Sequence, residues 1–199
     1  KHTGISLRFC SDELQADRKV VLRAVSNFGP ALRYASEELR GDREIALLAA
    51  AKDYYAFLDA SEELKADRDF VLEVVKQNRD AFFWVVPVEF RGDREIVLAA
   101  VKCASGNGAF CEASEELRGD REVLLEAVRN DGRIFREISK EFRGDREIVQ
   151  AAVTNQPHVF KYASRELQKD PQLRQRVSCL QSARDLREAF WELQSIILG

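Results

Sequence analysis

An Asp-Arg pair recurs along this chain at a period that leaves the fold little freedom. Asp stands at 17, 42, 67, 93, 120, 145 and 170, at spacings of 25, 25, 26, 27, 25 and 25, and Arg follows the first six. Four residues before each Asp stands a Glu, from Glu13 to Glu166, and three before it a Leu or Phe. Self-similarity at such a period marks a tandem array in which each unit is one supersecondary element stacked on its neighbours.

Each unit reads as two short helices. In 92–103, GDREIVLAAVKC, Asp93 is placed to cap the orphan N–H groups of a helix. Glu95 suits the positive end of that helix. Ile96, Val97, Ala100 and Val101 form a stripe of helical period. Seven residues after each Asp the side chain is small (Ala24, Ala49, Val74, Ala100, Ala127, Ala152, Val177), which lets helices approach closely. Asn and Gly in NFG (27–29) and NDG (130–132) read as helix ends. In the preceding segment, Leu32, Ala35 and Leu39 share a helical face. Ser36 before two Glu could also cap a fresh turn, so one continuous helix and a broken one both fit.

Helices of about 10 residues cannot bury an apolar face alone, and stacking solves this. The expectation is an all-α fold: an α-solenoid of about seven 25-residue two-helix repeats over 1–170, followed by divergent capping helices over 171–199. Pro171 replaces the Arg after the last Asp and is suited to a first helical position. The segment QLRQRVSCLQ then turns polar. A last helix from ARDLREAFWELQSIILG places Leu186, Phe190, Leu193 and Ile197 on one stripe.

The units YASEELRGDREIALLAA and ASEELRGDREVLLEAV resemble a tandem helical-repeat family known as a domain of unknown function, with units like ASEELRxDREVVLxAV. The resemblance covers the chain to about residue 170 and departs at 84–88 and after 170. It implies tandem helical repeats and carries no activity or catalytic residue with it.

The acids and arginines of the motif (Asp42-Arg43, Asp67-Arg68, Asp93-Arg94, Asp120-Arg121, Asp145-Arg146) are expected to be caps and a structural ladder. A catalytic site is needed once, whereas a structural device is needed in every unit. The arginines are expected to pair with the Glu rows, within a unit or across to the next. There is no Gly-rich phosphate loop, nucleophile elbow or His-Glu metal spacing. Only His2 and His158 occur, and Cys10, Cys103, Cys111 and Cys179 show no CxxC spacing, so neither metal nor cofactor is expected. The thiols point to a reducing intracellular compartment, cytosol or organelle interior. With net charge −3 and acids flanking each Arg, nucleic acid is not the expected partner. No apolar run reaches the roughly 20 residues of a membrane span, leaving peripheral attachment to a membrane complex. The chain has no Met, even at position 1, and reads as a processed product or a fragment.

One unit is odd. Residues 81–90, AFFWVVPVEF, carry Trp and Val where sibling units carry charge. Counted from the Asp, Phe83 falls in a core row with Phe57 and Phe110. Trp84 falls in a row with Arg33, Leu58, Cys111 and Arg136, and Val88 replaces Glu37, Glu62 and Glu115. Leu58, Trp84 and Cys111 would form an apolar stripe extended by Tyr54, Tyr55 and Val88, with Trp84 and Val88 side by side if one helix continued past Pro87. An exposed apolar stripe centred on Trp is the signature of a protein-binding surface. Internal filling by Trp84 is the competing reading. Trp191, with Ile196 and Leu198, is a second candidate surface. The function expected is a non-enzymatic scaffold for protein–protein interaction. A structural or linker subunit of a large, organellar complex comes second, and an RNA-binding helical repeat third.

Overall fold

The computed structural model describes residues 5–78, 80–103 and 108–198, with the side chains of 6–78, 80–102 and 108–187. Among these residues the structure is all helical, with no strand. The chain forms two compact units, Lys1–Leu117 and Arg118–Gly199.

The long helices are set by the Asp period. In the first unit they are Arg18–Asn27, Arg43–Lys52, Arg68–Gln77 and Arg94–Cys103; in the second, Arg121–Asn130 and Arg146–Asn155. Each cap Asp lies outside helical geometry and turns its carboxylate onto the first free N–H groups. Asp42 Oδ1 accepts from Ile45 N at 3.1 Å and Asp67 Oδ1 from Phe70 N at 2.7 Å. Asp93 and Asp120 each accept two such bonds, at 3.0 and 3.1 Å and at 2.9 and 3.0 Å.

The helices end at Asn27 and Asn130, where NFG and NDG marked their ends, and they stop without a left-handed glycine. The terminator is an extended residue (Phe28, Asp53, Asn78, Asp131 or Gln156) that donates its N–H to the carbonyl of the small residue four back. Where it is Asp53, Asn78 or Asp131, its own side chain then accepts the N–H two residues on. One residue thus closes a helix and opens the next turn. Gly29 and Gly132 serve contact instead: a Cβ there would lie 2.5 Å from the carbonyl oxygen of Ala49 and 2.8 Å from that of Ala152.

The first helix of each unit is broken. In the second repeat it is a 3₁₀ helix, Gly29–Tyr34, then an extended Ala35, then one α turn, Glu37–Arg40. Ser36 caps that turn by accepting from Leu39 N, as do Ser61, Ser114 and Ser164 in theirs. The same serines donate their backbone N–H to the preceding repeat: Ser36 to Gln15 O at 3.0 Å, Ser61 to Arg40 O at 3.1 Å, Ser114 to Arg91 O at 2.9 Å and Ser164 to Arg143 O at 2.8 Å.

Within each unit the long helices pack on one another as one layer and the short turns stack as a second, the two-layer solution of a helical repeat. The core lies between. Phe57 from a short turn stacks on Phe70 of the next long helix, ring centroids 5.9 Å apart, and both are buried. Burial of each such ring contributes about 1.5–3 kcal/mol. The small row is buried throughout the described long helices, from Ala24 to Ala152. After Asp170 the structure departs from the two expected capping helices: Pro171–Leu198 is one continuous helix. Its Leu186 is exposed, and Phe190, Leu193 and Ile197 lie outside the described side chains.

Candidate functional site: an inter-repeat ion ladder and an aromatic edge

Within each unit the arginine after a cap Asp reaches forward into the next repeat. Its first partner is the next cap Asp, which the Glu-row expectation had not included. Arg18 binds Asp42 at 2.9 Å and also Glu44. Arg43 binds Asp67 at 3.3 Å and Glu73 at 2.9 Å. Arg68 forms two bonds to Asp93, at 2.6 and 3.0 Å, and a third to Glu95 at 3.0 Å. In the second unit Arg121 bridges Asp145 at 2.7 Å and Glu147 at 2.8 Å, and Arg146 joins Asp170 at 2.7 Å and Gln172 at 3.2 Å. Asp42, Asp67, Asp93, Asp145 and Asp170 therefore each cap their own helix and receive the previous repeat's arginine. Arg94 opens its helix at the equivalent position.

The electrostatics follow. Burial alone would raise the Asp42 and Asp93 carboxyls, but the hydrogen bonds from Arg18 or Arg68 and from the capped N–H groups outweigh it and hold both low. The Arg121 hydrogen bond holds Asp145 low in the same way. These arginines are committed to ladder partners. No cluster of three or more His, Cys, Asp or Glu able to hold a metal occurs among the described residues. No helix among them is long and apolar enough to cross a membrane.

The family model described as Domain of unknown function (DUF4116) matches residues 1–40, 42–91, 93–143 and 120–168. The chain belongs to that family. Three of the four DUF4116 segments begin at Asp42, Asp93 and Asp120, each the cap of a long helix. No curated protein and no solved structure matches the chain.

The DUF4116 segment 42–91 contains the odd unit, and there the structure corrects the register. Phe82 is fully buried, whereas Phe83 is 40% and Trp84 58% exposed. The core positions of a normal unit, such as Phe57 and Ala60, are three apart, as the three residues per turn of a 3₁₀ helix require. Here the corresponding residues are Phe82 and Val86, four apart. The extra residue is absorbed by an α turn, Ala81–Trp84, in place of the 3₁₀ helix. Both Val85 N and Val86 N close back on Ala81 O, at 3.0 and 3.2 Å. Counting back from Asp93 shifted Phe83 into the core row. Counting forward from the preceding helix would have placed it beside Leu58, on the surface.

Pro87 then ends the turn and Val88 begins a separate 3₁₀ helix, Val88–Gly92. Trp84 and Val88 therefore do not share a helix, contrary to the side-by-side expectation, although Val88 is 70% exposed. Pro87 stands where Ser36, Ser61 and Ser114 stand. It lacks the N–H those residues donate to the preceding repeat and the hydroxyl with which they cap.

The exposed ring pair is ordered by its neighbours. Phe83 and Trp84 meet edge to face at 4.7 Å. The Phe83 ring lies over Gly108, where a Cβ would sit 3.4 Å from it. The turn Ala81–Trp84 packs between the turn Tyr54–Asp59 and the helix Gly108–Glu112, the elements carrying Leu58 and Cys111, both exposed. Tyr55 is also exposed, with its ring 4.5 Å from that of the half-buried Tyr54. The Tyr54 hydroxyl is pushed up to about 12 by Tyr55, by burial and by the charges of Asp80 and Asp53. Leu58, Phe83, Trp84 and Cys111 thus occupy consecutive turns of the short-turn layer. Phe83 is the member the sequence reading missed. The side chain of Trp191 lies outside the described residues.

Proposed function

We propose that this DUF4116 chain is a non-enzymatic helical-repeat scaffold that binds another protein through the short-turn edge of its first unit. The observation that supports this most is the Phe83–Trp84 pair: two exposed aromatic rings held in fixed mutual geometry, flanked by Leu58, Val88 and Tyr55. Aromatic side chains dominate the energetics of protein interfaces, and rings already ordered by Gly108 lose less entropy on binding. Beyond the flanking Leu58 and Cys111, the sibling units carry Arg8, Arg33, Arg136 or Lys161 in that row.

Capture of partners by the wild-type chain and by Trp84→Glu, compared at matched melting temperature, tests the reading. A partner held by the wild type and lost by the variant supports it. A large fall in Tm for Trp84→Glu would place the ring in the fold. Undiminished capture at equal stability would move the docking site elsewhere.

A further inference from the structure

The first long helix departs from its siblings on the opposite layer. Counted from the cap Asp, the second, fifth, sixth, ninth and tenth positions of a long helix line an open groove. In Arg146–Asn155 these are Glu147, Gln150, Ala151, Thr154 and Asn155, and with Arg129 and Arg176 they bound about 450 Å³. In Arg18–Asn27 the same positions are Lys19, Leu22, Arg23, Ser26 and Asn27, and with Arg18 they bound about 660 Å³. The second position is acidic in the next five repeats (Glu44, Asp69, Glu95, Glu122, Glu147) and Lys19 in this one. The sixth is Leu48, Glu73, Ala99, Glu126 or Ala151 in those repeats and Arg23 here.

This reversal works against the helix that carries it. Lys19 sits in the first turn, where the helix dipole favours an acid. Arg23 follows at i+4, where two like charges repel. Neither side chain forms an ion pair with a described residue, whereas Arg18 beside them is committed to Asp42 and Glu44. Ser26 and Asn27 turn their donors back onto Leu22 O and Arg23 O, both at 2.6 Å. Two uncommitted cations therefore flank a half-buried leucine. Departures from local consistency of this kind concentrate at functional sites.

We propose that this face binds an acidic segment of a partner protein, with carboxylates against Lys19 and Arg23 and an aliphatic side chain against Leu22. Charge complementarity selects the acid. The leucine, and the absence of any aromatic ring from the groove lining on which bases could stack, favour a peptide over RNA. The face lies on the long-helix layer, so the inference stands independently of Trp84.

The test is titration of the whole chain with a synthetic peptide of alternating Glu and Leu blocks, followed by fluorescence anisotropy. Saturable binding that weakens as salt is added, and that falls roughly tenfold in Lys19→Glu/Arg23→Glu, is expected. That double variant gives the helix the acid pair that Asp69/Glu73 and Glu122/Glu126 form in two sibling helices, and should melt no lower than wild type. The neutral pair Lys19→Gln/Arg23→Gln should give an intermediate loss, and a Lys/Leu peptide should gain affinity for the reversed variant. Absence of saturable binding, or equal affinity in wild type and reversed variant, overturns the proposal. So does an RNA oligonucleotide that binds more tightly than the peptide and displaces it, which would make the face a nucleic-acid site.

Discussion

Arg68 holds both carboxylate oxygens of Asp93 from the preceding repeat, while Asp93 Oδ1 also accepts the N–H groups of Glu95 and Ile96. One side chain thus joins the start of a helix to the helix before it. Asparagine can keep the first task but cannot accept an arginine as a carboxylate does, and alanine can do neither. Asp93→Ala should therefore destabilise more than Asp93→Asn, by about 1 kcal/mol for the lost cap. The part lost in Asp93→Asn should shrink with added salt, because the Arg68 side of the pair is open to solvent. Denaturant melts of the two variants at low and high salt check both statements. Equal losses for Asn and Ala would remove the cap from the account.

The ladder sets the direction of the pH dependence. Asp42, Asp93 and Asp145 titrate below the usual carboxylate range in the folded chain. A depressed folded value means that the stabilisation is fully present above the unfolded value of about 3.9 and is lost as pH falls through the lower folded values. Burial raises Asp59, so this residue opposes the trend and is relieved by protonation. The lowered carboxyls outnumber it, so Tm should hold constant from neutrality down to about pH 5 and fall steeply below pH 4. Arg68→Gln and Arg121→Gln should flatten that fall.

The register in the odd unit is decided by two adjacent phenylalanines. Phe82→Ala opens a cavity in the core and should cost about 3–5 kcal/mol. Phe83→Ala removes a ring that is 40% exposed and rests on Gly108, so its cost should be well under half of that. Comparable losses, or a reversed order, would return the unit to the register counted back from Asp93.

These same residues show what could be read in the chain itself. The Asp period marked the start of every long helix because a cap is a local device, complete within three residues. The small row and the stacking followed from helical period alone. The ladder's first partner escaped because it lies 24 or 25 residues away in sequence, and only the stacking distance brings Arg68 to Asp93 as well as to Glu95 of the expected Glu row. The 3₁₀ character of the short turns escaped because an i, i+3 apolar pair such as Leu32 and Ala35 fits an α turn equally well. Where one residue was inserted, periodicity counted from one side misassigned Phe83 by one place. The exposed edge around Trp84 was legible because six sibling units supplied its control. Lys19 and Arg23 were visible in the same alignment but gained meaning only when the groove positions of the long helix were known.

Glycine tolerance should separate close contacts from open turns. A Cβ on Gly132 would sit 2.8 Å from the backbone oxygen of Ala152, and one on Gly29 2.5 Å from that of Ala49. A carbonyl inside a helix cannot swing aside, so the repeat must shift. The sequence supports the geometry: Gly29 precedes Ala49, and Gly132 precedes Ala152, by 20 residues, while at the same interval Tyr54 precedes Val74 and Pro157 precedes Val177. Across the four 25-residue spacings a glycine thus accompanies alanine and a larger residue accompanies valine, whereas the 26- and 27-residue spacings set Asp80 and Asn107 against Ala100 and Ala127. Gly132 is further fixed by its N–H to Asn155 Oδ1 at 3.2 Å, and Asn155 in turn donates to Arg129 O and Asn130 O. At Gly92 the nearest atom to a new Cβ is Ser114 Oγ at 4.0 Å, so the space is free and the loss of unfolded-state entropy should favour alanine slightly. Gly29→Ala and Gly132→Ala should each cost about 1–3 kcal/mol, and Gly92→Ala should be neutral or mildly stabilising. Thermal melts of the three variants decide it. A Gly132→Ala chain as stable as Gly92→Ala would mean that the second unit does not pack its repeats this closely.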